Sequence, residues 1–183
     1  MESVENDVRW YALHVRSRFE KVVARNLEAR DYDSFLPVYQ RKHRWSDRVK
    51  SIELPLFPGY VFCRFNVNDR LPILTIPGVN SIVGIGKSPI PVDESQFRAV
   101  QSVLASGLHY EPWPFLAVGQ SVQVECGALV GVKGTIVNLK NSARLVVSVQ
   151  ILQRAVAVEI DRESVRPISA PLNQSIDLLK VAP

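Results

Sequence analysis

Pro55-Leu56-Phe57-Pro58-Gly59-Tyr60-Val61-Phe62 is a turn that feeds a strand. Pro58 fixes one backbone torsion and Gly59 tolerates unusual ones; the residues from Tyr60 to Phe65 then have the aromatic and branched composition of a strand. Strand side chains alternate, which sends Val61, Cys63 and Phe65 to one face and Tyr60, Phe62 and Arg64 to the other. The first face can fill a core. The second has aromatics left over, and two readings of it stand: a strand buried on both faces, or an aromatic depression that receives a partner.

Around this stretch lie 183 residues, 46% of them hydrophobic. That length suits one large domain or two small ones, since domains commonly hold about 100 to 150 residues. No apolar run approaches the roughly 20 residues a membrane helix needs. Met1 to Asp7 carries three acids and no apolar segment, so a cytoplasmic protein without a signal peptide is expected. Cys63 and Cys126 stand far apart in strand-like contexts and read as free buried thiols. The net charge of +4 is unevenly placed: residues 8 to 50 hold eleven Lys or Arg against five acids, whereas residues 51 to 107 balance four against four. Such a segment is the footprint of nucleic-acid binding, or else of a solvated surface.

The first unit alternates strands and helices. Trp10 to Val15 reads as a strand. Ser17 opens a helix running to about Arg30, with Glu20 in the capping-box position and Phe19, Val23 and Leu27 as its apolar stripe. Arg18, Lys21 and Arg25 recur on its exposed side as one basic ridge. Phe35 to Tyr39 returns to strand, and Arg41 to Lys50 reads as a hairpin with cations at its tip, Arg44 and the ring of Trp45 among them. Trp45 either folds back on the sheet or meets nucleic acid. Asp69 is placed to cap a short helix through Leu74, Pro77-Gly78 is a turn, and Ile82 to Ile85 is a brief strand. A further helix begins at Asp93, with Gln96 in the capping-box position, Phe97, Val100 and Leu104 as its stripe, and Gly107 at its end.

Between Gly107 and Ala117 the spaced prolines of Glu-Pro-Trp-Pro-Phe mark an extended connector. Beyond it, Ser121 to Glu125 alternates strictly, Gly127, Gly131 and Gly134 punctuate a turn region, and strands follow at Thr135–Leu139, Arg144–Leu152 and Ala155–Ile160. Five short strands in about fifty residues suit a small closed barrel. Residues 169 to 183 read as a flexible tail.

No catalytic constellation is present. His14, His43 and His109 lack metal-site spacing, neither cysteine has an activating partner, and His14 reads as a satisfied sheet residue. Gly84-Ile85-Gly86-Lys87-Ser88 fails as a phosphate loop, because position 81 is Ser and no helix follows directly. No metal, cofactor or enzymatic activity is expected.

Several motifs, in order, resemble the NusG/Spt5 transcription elongation factors: Trp10-Tyr11, Pro58-Gly59-Tyr60-Val61, the glycines from Gly127 to Gly134, Arg144-Leu145-Val146-Val147-Ser148-Val149, Arg154 and Val158-Glu159-Ile160-Asp161. The resemblance covers residues 8 to 168. It implies an α+β chain: an N-terminal NGN domain, an antiparallel sheet flanked by helices, over 8–107, a linker over 108–117 and a five-stranded, SH3-like KOW barrel over 118–168. It further implies a monomer that binds the largest subunits of RNA polymerase through an aromatic depression. By matching motif, Tyr11, Phe57, Pro58, Tyr60 and Phe62 inherit that contact. The same resemblance assigns Arg16, Arg18, Lys21 and Arg25 to upstream or non-template DNA, with Arg44 and Trp45 beside them. Ile151, Leu152 and Arg154 form the barrel tip that meets a small-subunit ribosomal protein or termination factor Rho in this family.

Two departures point to the specialised, operon-specific paralogues of the RfaH and UpxY type. Leu56 precedes Phe57 where general members carry a second Phe, and Gly-Ala-Leu-Val-Gly replaces Gly-Pro-Phe in the barrel loop. At the tip, Ile151-Leu152-Gln153-Arg154 replaces Ile-Phe-Gly-Arg, with Leu152 as the apolar knob. The expected function is operon-specific antitermination; a general member of the family and a translation-associated RNA-binding protein are the alternatives. In one specialised relative the second domain can adopt a helical hairpin that masks the polymerase site. Here the valines and glycines of 118–168 oppose a helix, so a barrel is expected, tethered by the Pro112 to Pro114 linker and leaving Phe57 and Tyr60 open.

Overall fold

The structure, a computed structural model, describes residues 8–44, 49–113, 120–138 and 143–168. In chain order the first domain comprises strand β1 (Val8–Val15), helix α1 (Glu20–Glu28), β2 (Asp33–Phe35), β3 (Val38–Arg44), β4 (Val49–Pro55), β5 (Tyr60–Asn66), α2 (Leu71–Leu74), β6 (Val79–Ile82), β7 (Gly84–Ile85), β8 (Ser88–Pro89) and α3 (Glu94–Ala105). Its main sheet has the order β2-β5-β1-β6, and β1 runs antiparallel to β5 with Tyr11 opposite Cys63 and Ala12 opposite Phe62.

Directly opposed residues share a face, and each face has its own helix. Tyr11, Leu13, Val15, Val61, Cys63 and Phe65 pack with Val23 and Leu27 of α1 and with Ile73 and Ile76. Ala12 and Phe62, on the reverse face, pack with Phe97, Val100 and Val103 of α3. The first domain therefore has three layers, α1 and α2, sheet, α3, and both faces of β5 are buried.

Helix α1 begins two residues later than the capping-box pattern predicts, with Phe19 rather than Ser17 before its first residue. Arg18 takes a left-handed conformation, φ +68°, so the chain cannot enter a helix at Ser17. Phe19 becomes the N-cap without a side-chain cap bond, and Glu20 turns elsewhere. At α3 the expectation holds: the Asp93 carboxylate accepts from the Gln96 amide at 3.0 Å, and Gly107 ends the segment at φ +70°. Asp69 does not cap α2, whose N-cap is Arg70; Asn66 instead caps the 3-10 turn Val67–Asp69. The predicted hairpin forms, with β3 and β4 paired from Val38–Pro55 to Arg44–Val49. Trp45 lies outside the described residues, as does the expected tail.

The second domain is a six-stranded sheet of order β14-β10-β11-β12-β13-β9, from β9 (Tyr110–Trp113), β10 (Gln120–Val124), β11 (Lys133–Asn138), β12 (Ala143–Val149), β13 (Arg154–Ile160) and β14 (Val165–Pro167). Five of these lie in the predicted barrel segment. The sixth corrects the reading of residues 108–117 as connector throughout, because Tyr110–Trp113 pairs with β13. Proline suits an edge strand, which has ladder positions needing no amide, so Pro112 does not break it. Side chains explain why the strand is held: Trp113 packs on Val146, Ala155 and Ala157, Arg144 lies over its ring at 5.2 Å, and Arg144 also pairs with Glu111.

The barrel keeps its strands, as its valines predict, but it is not merely tethered. The hydroxyl of Tyr110 donates to the Val38 carbonyl at 2.9 Å, and one apolar cluster runs from Phe57, Phe62 and Phe97 to Val147, Leu152 and Val156. Phe57 is 1% exposed, so the expectation that it stands open is corrected.

Candidate functional site

The turn after β4 is built from two residues with opposite constraints. The Tyr60 amide donates to the Phe57 carbonyl at 3.1 Å, closing a four-residue turn. Pro58 supplies the fixed φ of the second position, and Gly59, at φ +83°, supplies the positive φ a type II turn requires of the third. Two bonds then hold this turn to the domain: the Val15 amide donates to the Gly59 carbonyl at 2.8 Å, and the Gly59 amide donates to Oε1 of Glu20 at 2.9 Å. Pro58 is exposed and Tyr60 half-buried. The Tyr60 ring lies 5.7 Å from that of His14, which is exposed rather than enclosed in the sheet.

The five aromatic-site residues do not share one surface. Phe57 and Phe62 are each 1% exposed, with ring centroids 6.0 Å apart. Burying such a side chain stabilises a fold by about 1.5–3 kcal/mol, so these rings serve the core, whatever they also support. Tyr11 is corrected to the opposite face: it faces α1 with Cys63, its ring 4.8 Å from Phe65. The aromatic face instead contains residues the motif match passed over. Trp10 stacks on Phe97 at 4.3 Å, and Phe35 meets Phe97 edge-on at 5.3 Å. Alternation along β1 carries the missing signal, because Trp10, Ala12 and His14 must lie opposite Arg64, Phe62 and Tyr60.

The basic ridge is not one helical stripe. Arg16 and Arg18 precede α1, Arg16 with its guanidinium 5.1 Å from the Phe19 ring centre, while Lys21 and Arg25 occupy the helix four residues apart. All four are exposed. Lys21 is engaged by Glu53 of β4 at 2.5 Å. Arg44 ends β3, next to the hairpin tip. At the barrel tip Arg154 is exposed and Ile151 half-buried, but Leu152 is 5% exposed and lies in the apolar cluster. The reading of Leu152 as a projecting knob is corrected accordingly. Gln153, where the family pattern has Gly, sits at φ +49°, the left-handed region that favours glycine.

Both cysteines are free thiols, Cys63 buried and Cys126 exposed; the expectation of burial fails for Cys126, which lies two residues beyond the end of β10. Desolvation, with Asp33 nearby, pushes the Cys63 thiol up to about 12. No group of three potential metal ligands occurs among the described residues, and no helix there is long and apolar enough to cross a membrane. The Gly84–Ser88 run is a small hairpin. A side chain at Gly84 would meet the Ser88 carbonyl oxygen at 2.1 Å, which accounts for that glycine without a phosphate.

A family model, that of the transcription termination factor NusG, matches residues 8–101. The transcription termination/antitermination protein NusG of Neisseria meningitidis is 28% identical, with 88% of this chain and 98% of that protein covered. Its namesake from Staphylococcus epidermidis is 24% identical over 87% of this chain and 96% of its own length. Among solved structures, one of Thermotoga maritima NusG, described as showing domain interaction, covers 89% of this chain and 98% of that one at 21% identity and a TM-score of 0.56, which is a likeness of fold.

Proposed function

The chain belongs to the NusG family of transcription termination factors, and from that membership we propose that it acts by binding RNA polymerase through its N-terminal domain. It is a termination/antitermination factor of NusG type. In the proposed action it is a non-catalytic, cytoplasmic monomer that contacts the largest polymerase subunits and suppresses pausing or termination at particular operons. The observation that supports this reading is the turn at Pro58 and Tyr60, exposed in part and held rigidly by the Gly59 bonds. A prefixed aromatic at a surface loses little entropy on binding and is a favoured interface anchor. Phe57 and Phe62 support that anchor from beneath. Arg16, Arg18, Lys21 and Arg25, joined by Arg44, are to hold upstream or non-template DNA through phosphates, and Trp45 is to stack on a base.

The barrel tip, Ile151, Leu152 and Arg154, is proposed to meet a small-subunit ribosomal protein or Rho. Since Leu152 is buried in the cluster, that contact requires the tip to leave it. Restriction to particular operons rests on Leu56 and on the Gly-Ala-Leu-Val-Gly loop at residues 127–131, both departures from general members. The second reading, a general factor, is favoured by the near-complete length shared with the Neisseria and Staphylococcus proteins.

Transcription with purified polymerase tests the proposal. Added protein should shorten pauses on templates from the regulated operon and leave unrelated templates unchanged. Equal shortening on every template would favour the general factor, and no effect on any template would defeat polymerase action.

A further inference from the structure

We propose that Glu20 is the positioning residue of the polymerase-contacting turn, its carboxylate locking the Pro58–Gly59 peptide in one of two orientations. The proposal rests on the reading of that turn as a polymerase contact. Among the described residues Glu20 is the one buried polar or charged side chain, 5% exposed. A buried carboxylate is costly unless hydrogen bonds compensate it. An acid in the first helical turn ordinarily assists the free amides there, yet the N-cap of α1 has no side-chain bond. Glu20 reaches instead across 39 residues to the Gly59 amide, at 2.9 Å.

The choice of that amide is what matters. A four-residue turn closes with the amide of its fourth residue, here Tyr60, and leaves the amide of its third residue without a partner inside the turn. Types I and II differ by a flip of the peptide joining the second and third residues, here Pro58–Gly59. Glycine accepts both forms, because positive and negative φ are about equally open to it. Gly59 therefore cannot choose between them by itself. Accepting the Gly59 amide on the side where Glu20 lies selects the form with φ +83°. A hydrogen bond to a charged acceptor is about twice as strong as a neutral one, enough to hold one state. The neighbouring residue, Lys21, is joined to Glu53 of β4, so α1 holds both the turn and the hairpin strand that leads into it.

The test uses the full chain with Glu20→Ala and Glu20→Gln, the latter retaining an amide oxygen that can accept. Amide spectra should show one Gly59 signal in the parent, a shifted or doubled signal and faster exchange in Glu20→Ala, and near-parent behaviour in Glu20→Gln. Unchanged signals from α3, across the same sheet from α1, serve as the control that the first domain of each variant folds. Affinity for polymerase should fall roughly tenfold in Glu20→Ala, recover in Glu20→Gln, and fall much less when Tyr60→Ala is already present, because both changes then act through one turn. A Gly59 signal unmoved by Glu20→Ala would overturn the proposal, as would fully additive effects of Glu20→Ala and Tyr60→Ala. A parent chain that fails to bind polymerase would defeat the reading of the turn as a contact; the Gly59 signal would still decide whether Glu20 sets its form.

Discussion

Oε1 of Gln96, on α3, accepts a hydrogen bond from the backbone amide of Gln150 at 2.9 Å, and so joins the first domain to the barrel. The residue stands where a capping box would use its side chain, but the Asp93 carboxylate caps the helix on the Gln96 backbone amide alone. Gln96→Ala should therefore leave α3 helical and cost about 1 kcal/mol or less, the net worth of a neutral hydrogen bond. Adding Tyr110→Phe removes the second polar tie, to the Val38 carbonyl. In the double variant the domains should tumble more independently by nuclear relaxation, with barrel shifts retained. Tumbling as one body would show that the apolar cluster holds them alone.

Gln153 carries a left-handed backbone, φ +49°, at the position where the family pattern has glycine. For a residue with a Cβ this region costs roughly 1–2 kcal/mol, while glycine loses part of that gain through a freer unfolded chain. Gln153→Gly should raise stability by up to about 1 kcal/mol in urea unfolding. A destabilised variant would mean that the glutamine side chain holds the tip in some other way.

Much of the fold is readable because it is decided locally. Pro58-Gly59 must turn, Asp93 must cap, and dense valines must extend. The errors share a different origin. The motif match groups Tyr11 with Phe57 and Phe62, but its face is set by pairing with Cys63, 52 residues away. Residues 110–113 read as linker because prolines dominate the segment, whereas the strand is held by Trp113 against Ala155 and Ala157. The Glu20 side chain fits a capping box until Arg18 turns left-handed, a choice no residue type announces. For the candidate site, the turn was legible and its buried support was not.

Phe97 touches Trp10, Phe35 and Phe62, with centroid distances from 4.3 to 5.5 Å, and is 2% exposed. Phe97→Ala should cost about 3–5 kcal/mol through lost burial and the cavity left behind. Chemical denaturation measures it. A loss below about 1 kcal/mol would mean that α3 collapses into the gap without cost.

The two thiols should separate by reactivity. Cys126 is exposed, whereas Cys63 is buried and its ionisation is pushed up to about 12, chiefly by desolvation. At pH 8 a thiol reagent should label Cys126 promptly and Cys63 only after unfolding, since the thiolate is the reacting form. The same shift carries a sign for stability. A folded-state value above the unfolded one gives a contribution fully present below about pH 9 and lost as pH rises towards 12. Cys63→Ala should flatten that alkaline decline, and an unchanged decline would assign it to other groups.

The basic residues near α1 should differ in their effect on DNA association, because one of them is already engaged by a carboxylate. All three side chains are exposed, and Lys21 pairs with Glu53. A cation that displaces counterions from phosphate contributes roughly 0.7 to 0.9 of a unit to the slope of log affinity against log salt. On a complete transcription bubble, Arg18→Gln and Arg25→Gln should each lower the slope by about that amount. Lys21→Gln should lower it by less than about half as much, since its charge is largely spent on Glu53. Binding to isolated polymerase should barely change in any of the three. Unaltered slopes for both arginine variants would leave these charges to solvent, and a full unit lost with Lys21→Gln would show that the Glu53 pair opens when DNA arrives.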